Sequence, residues 1–291
     1  MRPRVEERPL PVLSLDDLTR QVLQLPALPQ TAAAIIEVSS SSKASARDLK
    51  QVISTDQALV TKVLRVVNSP LYALRQRVTT LTHAIAMLGF DAVKNLALAA
   101  SMSKLLGAPA DGYGLKPGRL WLHSIAVGCA AKSIVEIVQR DRAEEAFVAG
   151  VIHDVGKLAL HVYVRGCYNE IMERVEKEGL PFDEVEREVI GFSHAQAGEA
   201  VATAWRLPDV LTEPMRWHHQ PGLAADPFMP SVVHLADVVA LSLGYGVGSE
   251  GLTYRFHDSA LVALKLTYSV MDQIAVALPA QVARMTESIE G

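Results

Sequence analysis

The chain is expected to be all-α, organised as two helical lobes, and three observations carry that expectation. Apolar residues recur at helical spacing along most of its 291 residues. Hydrophobic residues make up 49% and aromatics only 5%, with Ala, Leu and Val dominant, a composition that favours packed helices over sandwiches of strands. Sustained strand-type alternation is absent.

Taken in order, residues 1–14 read as an extended lead-in rich in charge and proline. An N-terminal lobe follows over 15–110. Its first helix breaks at Gln24–Gln30 (QLPALPQ), and a second begins behind Pro29. The serine run at 39–42 reads as a turn leading to a helix capped by Ser45, and Ser54 is the expected cap of the next. Asn68 and Pro70 stop that helix. The stretch from Thr80 to Leu106 is apolar nearly all round, as in a buried helix pair. Gly107–Gly118 then packs four glycines and two prolines into twelve residues, a loop that we take as the boundary between lobes. A helical bundle is expected over 115–250, with a C-terminal helical tail over 251–291 packing on it.

Charge and cysteine narrow the function. A formal net charge of −4 gives no support for direct nucleic-acid binding. Cys129 and Cys167 form no CxxC pair, which argues against a disulfide framework or a thiolate zinc site. The start of the chain lacks the apolar core of a signal peptide, and the greasy segments are broken by charges short of a membrane span. A soluble, cytoplasmic protein with no membrane contact is the expectation.

Chemistry concentrates in the second lobe. His123, His153, Asp154, His194, His218, His219 and Asp237 are spread over helices at separations of 18 to 40 residues. That spacing is too long for one local motif, but it suits a bundle in which each helix sends one or two ligands inward. Imidazoles outnumber carboxylates, so iron, manganese or zinc fits better than calcium. Seven ligands suffice for one to two divalent ions, with Asp154 placed to bridge them. Lys157, one turn after His153, is a candidate for binding phosphate or for simple solvation. His194 could equally start a helix behind Ser193, and adjacent His218 and His219 can both ligate only near a helix end. His234, one turn before Asp237, is a candidate hydrogen-bond neighbour of that carboxylate.

The series His123, His153–Asp154, Asp237 and the segment HDVGKL resemble the HD superfamily of metal-dependent phosphohydrolases. His194 and His218–His219 resemble the additional ligands of its HD-GYP branch, but the glycine-tyrosine-proline segment is missing. Arg119 stands where a trinuclear site would have glutamate, which limits the count to two ions. The stretches LPALPQTAAAIIEV, DQALVTKVLRVVNSPLY, TLTHAIAMLGFDAVKNLAL, WRLP and HHQP resemble the HDOD family over roughly residues 18 to 245.

That resemblance implies a signal-transduction or regulatory protein that meets a signalling partner through its first lobe, with a mono- or dinuclear metal site in the HD-like lobe. The alternative it implies is a metal-dependent phosphohydrolase acting on a nucleotide or cyclic dinucleotide, with Lys157 on the phosphate. A non-haem di-iron oxygen sensor is a third reading of the same ligands.

Overall fold

The computed structural model describes residues 12–25, 28–39, 44–70, 72, 74–246 and 254–290. All regular structure among them is helical. Residues 1–11 of the lead-in expected over 1–14, the Pro26–Ala27 part of the break, the serines at 40–42 and the junction at 250–253 lie outside the described residues.

Helices α1 (Leu15–Gln24), α2 (Gln30–Ser39), α3 (Ala46–Ser54), α4 (Gln57–Val67), α5 (Leu81–Leu88), α6 (Phe90–Ser101) and α7 (Ser103–Leu106) precede the glycine-rich loop. After it come α8 (Arg119–Val138), α9 (Ala143–Ile152), α10 (Gly156–Glu178), α11 (Phe182–Ile190), α12 (His194–Ala204), α13 (Asp209–Trp217), α14 (Phe228–Ser242), α15 (Asp258–Leu264) and α16 (Tyr268–Glu290).

Local signals act as the residues dictate. Ser45 closes a capping box with Asp48 on α3, and Ser193 closes another with Gln196 on α12. The cap of α4 is Asp56, whose carboxylate accepts from the Leu59 amide, rather than Ser54, which is still inside α3. Asp satisfies the orphan amide as well as Ser does, so two capping residues two positions apart leave the choice to geometry. Asn68 ends α4 and uses its whole amide group: Nδ2 donates to the Leu64 and Val78 carbonyls at 2.6 and 2.7 Å, and Oδ1 accepts from the Val78 amide at 2.7 Å.

Helices α8 and α9 form the centre and are buried along most of their length. They can lie this close because glycine faces glycine. A Cβ on Gly150 would stand 2.8 Å from the Gly128 Cα, and one on Gly128 would stand 2.9 Å from the Phe147 carbonyl. Helices α14 and α16 pack on α8, α6 on α9, and α16 also on α4. One apolar core therefore runs on from α2, α4 and α6 into α8, α9 and α14.

Two details differ from the sequence expectation. His153 and Asp154 lie in a short turn between α9 and α10, not within a helix, although apolar periodicity runs straight through them. The apolar segments also reach farther than expected. Arg119–Val138 and Arg140–Glu178 have the length and hydropathy of membrane spans, with the apolar windows 72% and 83% buried against the rest of this chain. Central core helices of a large bundle have the same composition, because they are apolar all round.

Candidate metal centre

Five segments converge on Asp154. Helix α8 brings His123, the α9–α10 turn brings His153 and Asp154, and α12 brings His194 as its first residue. His218 and His219 follow the last turn of α13, and α14 brings Asp237. The glycine of HDVGK makes the convergence possible. A Cβ on Gly156 would lie 2.0 Å from the His194 carbonyl oxygen and 2.4 Å from the Gly198 amide nitrogen, so any side chain there would push α12 off the turn. All seven side chains are buried except that of His219, which is partly exposed.

The two oxygens of Asp154 divide the cluster. Oδ2 stands 3.4 Å from Nε2 of both His123 and His153. Asp237 Oδ1 closes this half, 3.2 Å from His123 Nε2 and 4.0 Å from His153 Nε2. Oδ1 of Asp154 faces the other half, 3.6 Å from His194 Nε2 and 3.8 Å from His218 Nε2. His219 Nε2 lies 2.8 Å from His194 Nε2. Within each trio, His123–His153–Asp154 and His194–His218–His219, one ligand atom per residue lies within 4.8 Å of the others.

The rings are held from behind. Nδ1 donates to the Tyr245 carbonyl from His123, to the Gly150 carbonyl from His153, to the Met215 carbonyl from His218 and to the Glu186 carboxylate from His194. These acceptors fix the Nδ1–H tautomer and turn Nε2 toward the centre, the usual support of a ligating histidine. A further observation tests the fit of a cation. His153 Nε2, His218 Nε2, Asp154 Oδ1 and Asp237 Oδ1 are buried with no hydrogen-bond partner. Four orphaned acceptors around one point are costly unless a positive charge meets them, and the donor set suits a divalent transition metal.

The electrostatics agree. Burial alone depresses an imidazole pKa, yet hydrogen bonds and attraction from Asp154 and Asp237 outweigh it at His123 and lift it to about 9. Glu186 does the same for His194, also to about 9. Burial and the neighbouring rings push His218 down to about 3 and His219 and His153 below their ordinary value. The carboxyls of Asp154 and Asp237 resist burial and are held below the ordinary range, Asp154 chiefly by His153 and Lys157 and Asp237 chiefly by His123. The fold thus stabilises positive charge between the carboxylates.

Several supports are not apparent from motif spacing. Glu186 is fully buried, accepts from both the amide and Nδ1 of His194 at 2.7 Å, and takes a short hydrogen bond from the Tyr113 hydroxyl. It falls on the apolar stripe Phe182–Val185–Glu186–Ile190 of α11, and a carboxylate on such a stripe is the signal that could have found it. Tyr113 comes from the glycine-rich loop taken as a boundary. His234 supports His218 rather than Asp237: its Nδ1 donates to the His218 carbonyl at 2.8 Å and its Nε2 accepts from the His257 amide at 3.1 Å. Lys157 is buried and ion-paired to Asp154 Oδ2 at 2.6 Å, with its ammonium 5.9 Å from the Tyr113 ring centre. Arg119 is exposed and directs its guanidinium at the Gly246 carbonyl. Among the described residues, a small recess of about 50 Å³ lies beside His219, Asp183 and Arg216.

Known proteins place this architecture. Among solved structures, the chain is similar to an HDOD domain protein of unknown function from Geobacter sulfurreducens, with a TM-score of 0.72 and 21% identity, covering 93% of this chain and 97% of that one. It is similar to a provisionally assigned phosphohydrolase from Shewanella amazonensis, with a TM-score of 0.71 and 19% identity over 94% of this chain and 98% of that one. A provisionally assigned signal transduction protein from Marinobacter aquaeolei gives a TM-score of 0.70 at 22% identity, covering 95% of this chain and 65% of that one. An uncharacterised protein of Treponema pallidum is 22% identical over 214 residues, which are 73% of this chain and 41% of that longer protein. The HDOD domain family matches residues 25–221, from α2 through the paired histidines after α13, and the chain belongs to that family.

Proposed function

We propose that this protein is an HDOD regulatory module in which a mono- or dinuclear metal centre organises the HD-like lobe, and that it acts by presenting its first lobe to a signalling partner. One observation carries the reading: Asp154 is shared between two histidine sets inside a closed interior. His123, His153, Asp154 and Asp237 would hold one ion, and His194, His218 and His219 with the second oxygen of Asp154 the other. A bound divalent ion supplies charge that neutralises the buried carboxylates and, where water reaches it, lowers the pKa of that water. The residues themselves do the remaining work. Glu186, the backbone carbonyls and Tyr113 orient the rings, and Lys157 balances the charge of Asp154 from the side.

The small size of the recess beside His219 supports the regulatory reading. A recess of about 50 Å³ admits water but not a nucleotide. The observation that favours the alternative, a metal-dependent phosphohydrolase, is the completeness of the ligand series beside the buried cation of Lys157.

The deciding experiment is elemental analysis of untagged protein beside an Asp154→Ala control, followed by a hydrolysis screen on nucleotides and cyclic dinucleotides. One to two equivalents of iron, manganese or zinc, absent from the control and without turnover, is the expected result. Metal-dependent turnover abolished by the substitution would move the assignment to phosphohydrolase. No metal after reconstitution would remove the centre from the account.

A further inference from the structure

Lined by none of the seven candidate ligands, an open groove of about 1030 Å³ runs between the end of α4, residues 69–70 and 74–79, and the last turns of α16. Four arginines line it, Arg65, Arg75, Arg77 and Arg284, against a single carboxylate, Glu287. All four are exposed, and none has an ion-pair partner among the described residues. Several arginines elsewhere are paired: Arg174 with Glu178 and Glu188, Arg142 with Glu145, Arg255 with Glu184. A chain of net charge −4 has therefore gathered four uncompensated cations on one surface.

The described residues of the loop that carries two of them are fastened at two places. The Asn68 side chain binds Val78 through both its amide and its carbonyl, so the segment between them is closed at its base. Tyr72, inside that segment, donates its hydroxyl to Glu144 at 3.0 Å and lies under the Lys132 ammonium, 4.1 Å from the ring centre. Arg75 and Arg77 are thus displayed from a fastened frame. Ser69, 5% exposed, lines the groove, and its hydroxyl has no hydrogen-bond partner. Leu64 and Leu74 add an apolar strip.

We infer that this groove binds a polyphosphate-bearing small molecule of nucleotide size. Guanidinium forks match phosphate oxygens in pairs, and four of them exceed what a single carboxylate could neutralise. The apolar strip offers a surface to a ring. The volume suits a ligand of this class, since small-molecule sites are typically about 300–1,000 Å³. The inference does not depend on the metal centre.

The test is isothermal titration of EDTA-treated full-length protein with ATP, GTP, a cyclic dinucleotide, inorganic tripolyphosphate and a decaglutamate peptide. At least one nucleotide should bind, more tightly than tripolyphosphate does. The Arg75→Gln/Arg77→Gln double variant should weaken that binding about a hundredfold, tenfold for each guanidinium–phosphate pair removed, with the thermal midpoint unchanged. Arg284→Gln alone should weaken it about tenfold. Absence of binding by every nucleotide at about 1 mM, or equal binding by the double variant, overturns the inference. Tripolyphosphate binding as tightly as the nucleotides removes the role of the ring. Binding of decaglutamate alone would assign the groove to an acidic protein segment instead.

Discussion

The candidate metal centre and the arginine groove are built on opposite plans. In the centre, six of seven candidate ligands are buried, four of the five rings are fixed from behind, and the recess beside His219 is only about 50 Å³. In the groove, about 1030 Å³ of space is open and the arginines stand exposed without ion-pair partners. The contrast teaches how burial divides labour. A closed, over-determined cluster is suited to holding charge in place, whereas an open array of cations is suited to exchange with a ligand from solution.

The comparison can be broken most forcefully at Asp154. Asp154→Ala removes the carboxylate ion-paired to the buried Lys157 and also the shared ligand, so it should cost about 3–5 kcal/mol in urea unfolding. Metal should also be lost from both halves together. Retention of one full equivalent would show that the halves are independent.

Gly156→Ala comes next. The added methyl meets backbone of α12 rather than a side chain that can swing away, so a loss of about 1–3 kcal/mol or more is expected. A near-neutral result in thermal unfolding would mean that α12 does not need its close approach to the turn.

Glu186→Gln sharpens the division inside the centre. It removes the carboxylate behind His194 but leaves His123 and His153 supported, so metal affinity should fall about 10–100-fold in one half only. Competition with a chromophoric chelator would resolve one weakened site and one unchanged site.

Acid and base should each loosen the metal-stripped protein. His153, His218, His219 and His234 are depressed below 6.5, His234 to about 4, so below pH 6.5 the unfolded chain takes up more protons and stability falls. His123 and His194 are raised to about 9, so their stabilisation is complete below 6.5 and is lost as pH rises through 9. A thermal midpoint that peaks near pH 6.5 is the expected profile, and a plateau from 6 to 9 would contradict it. The smallest effect belongs to the groove. Arg284→Gln should leave the thermal midpoint unmoved, because the side chain is exposed and makes no ion pair among the described residues.

Much of this was legible in the residues. Helical periodicity and the caps at Ser45 and Ser193 reveal the all-α architecture, because those signals are local. All seven candidate ligands could be named because imidazole and carboxylate within apolar helices are conspicuous, and the fold brings all seven together. What sequence reading missed depends on distance in space. The turn at His153 is hidden by an apolar pattern that continues across it. Glu186 and Tyr113 meet His194 only after α10, α11 and α12 have packed, and His234 chooses the His218 carbonyl over Asp237 because of where α13 ends. The groove arginines lie in α4, a loop and α16, more than 200 residues apart at the extremes, and no motif spacing connects them.

The wide spread of the ligands along the chain has a consequence for the unfolded state. An ion bound at the centre would cross-link five segments between residues 123 and 237, closing successive chain loops of 18 to 40 residues. Each closure removes entropy from the denatured ensemble much as a disulfide does, and both cysteines of this protein are free thiols. The metal would then serve as a set of removable staples, and a chelator would lower the melting temperature even where no catalytic step exists to be inhibited.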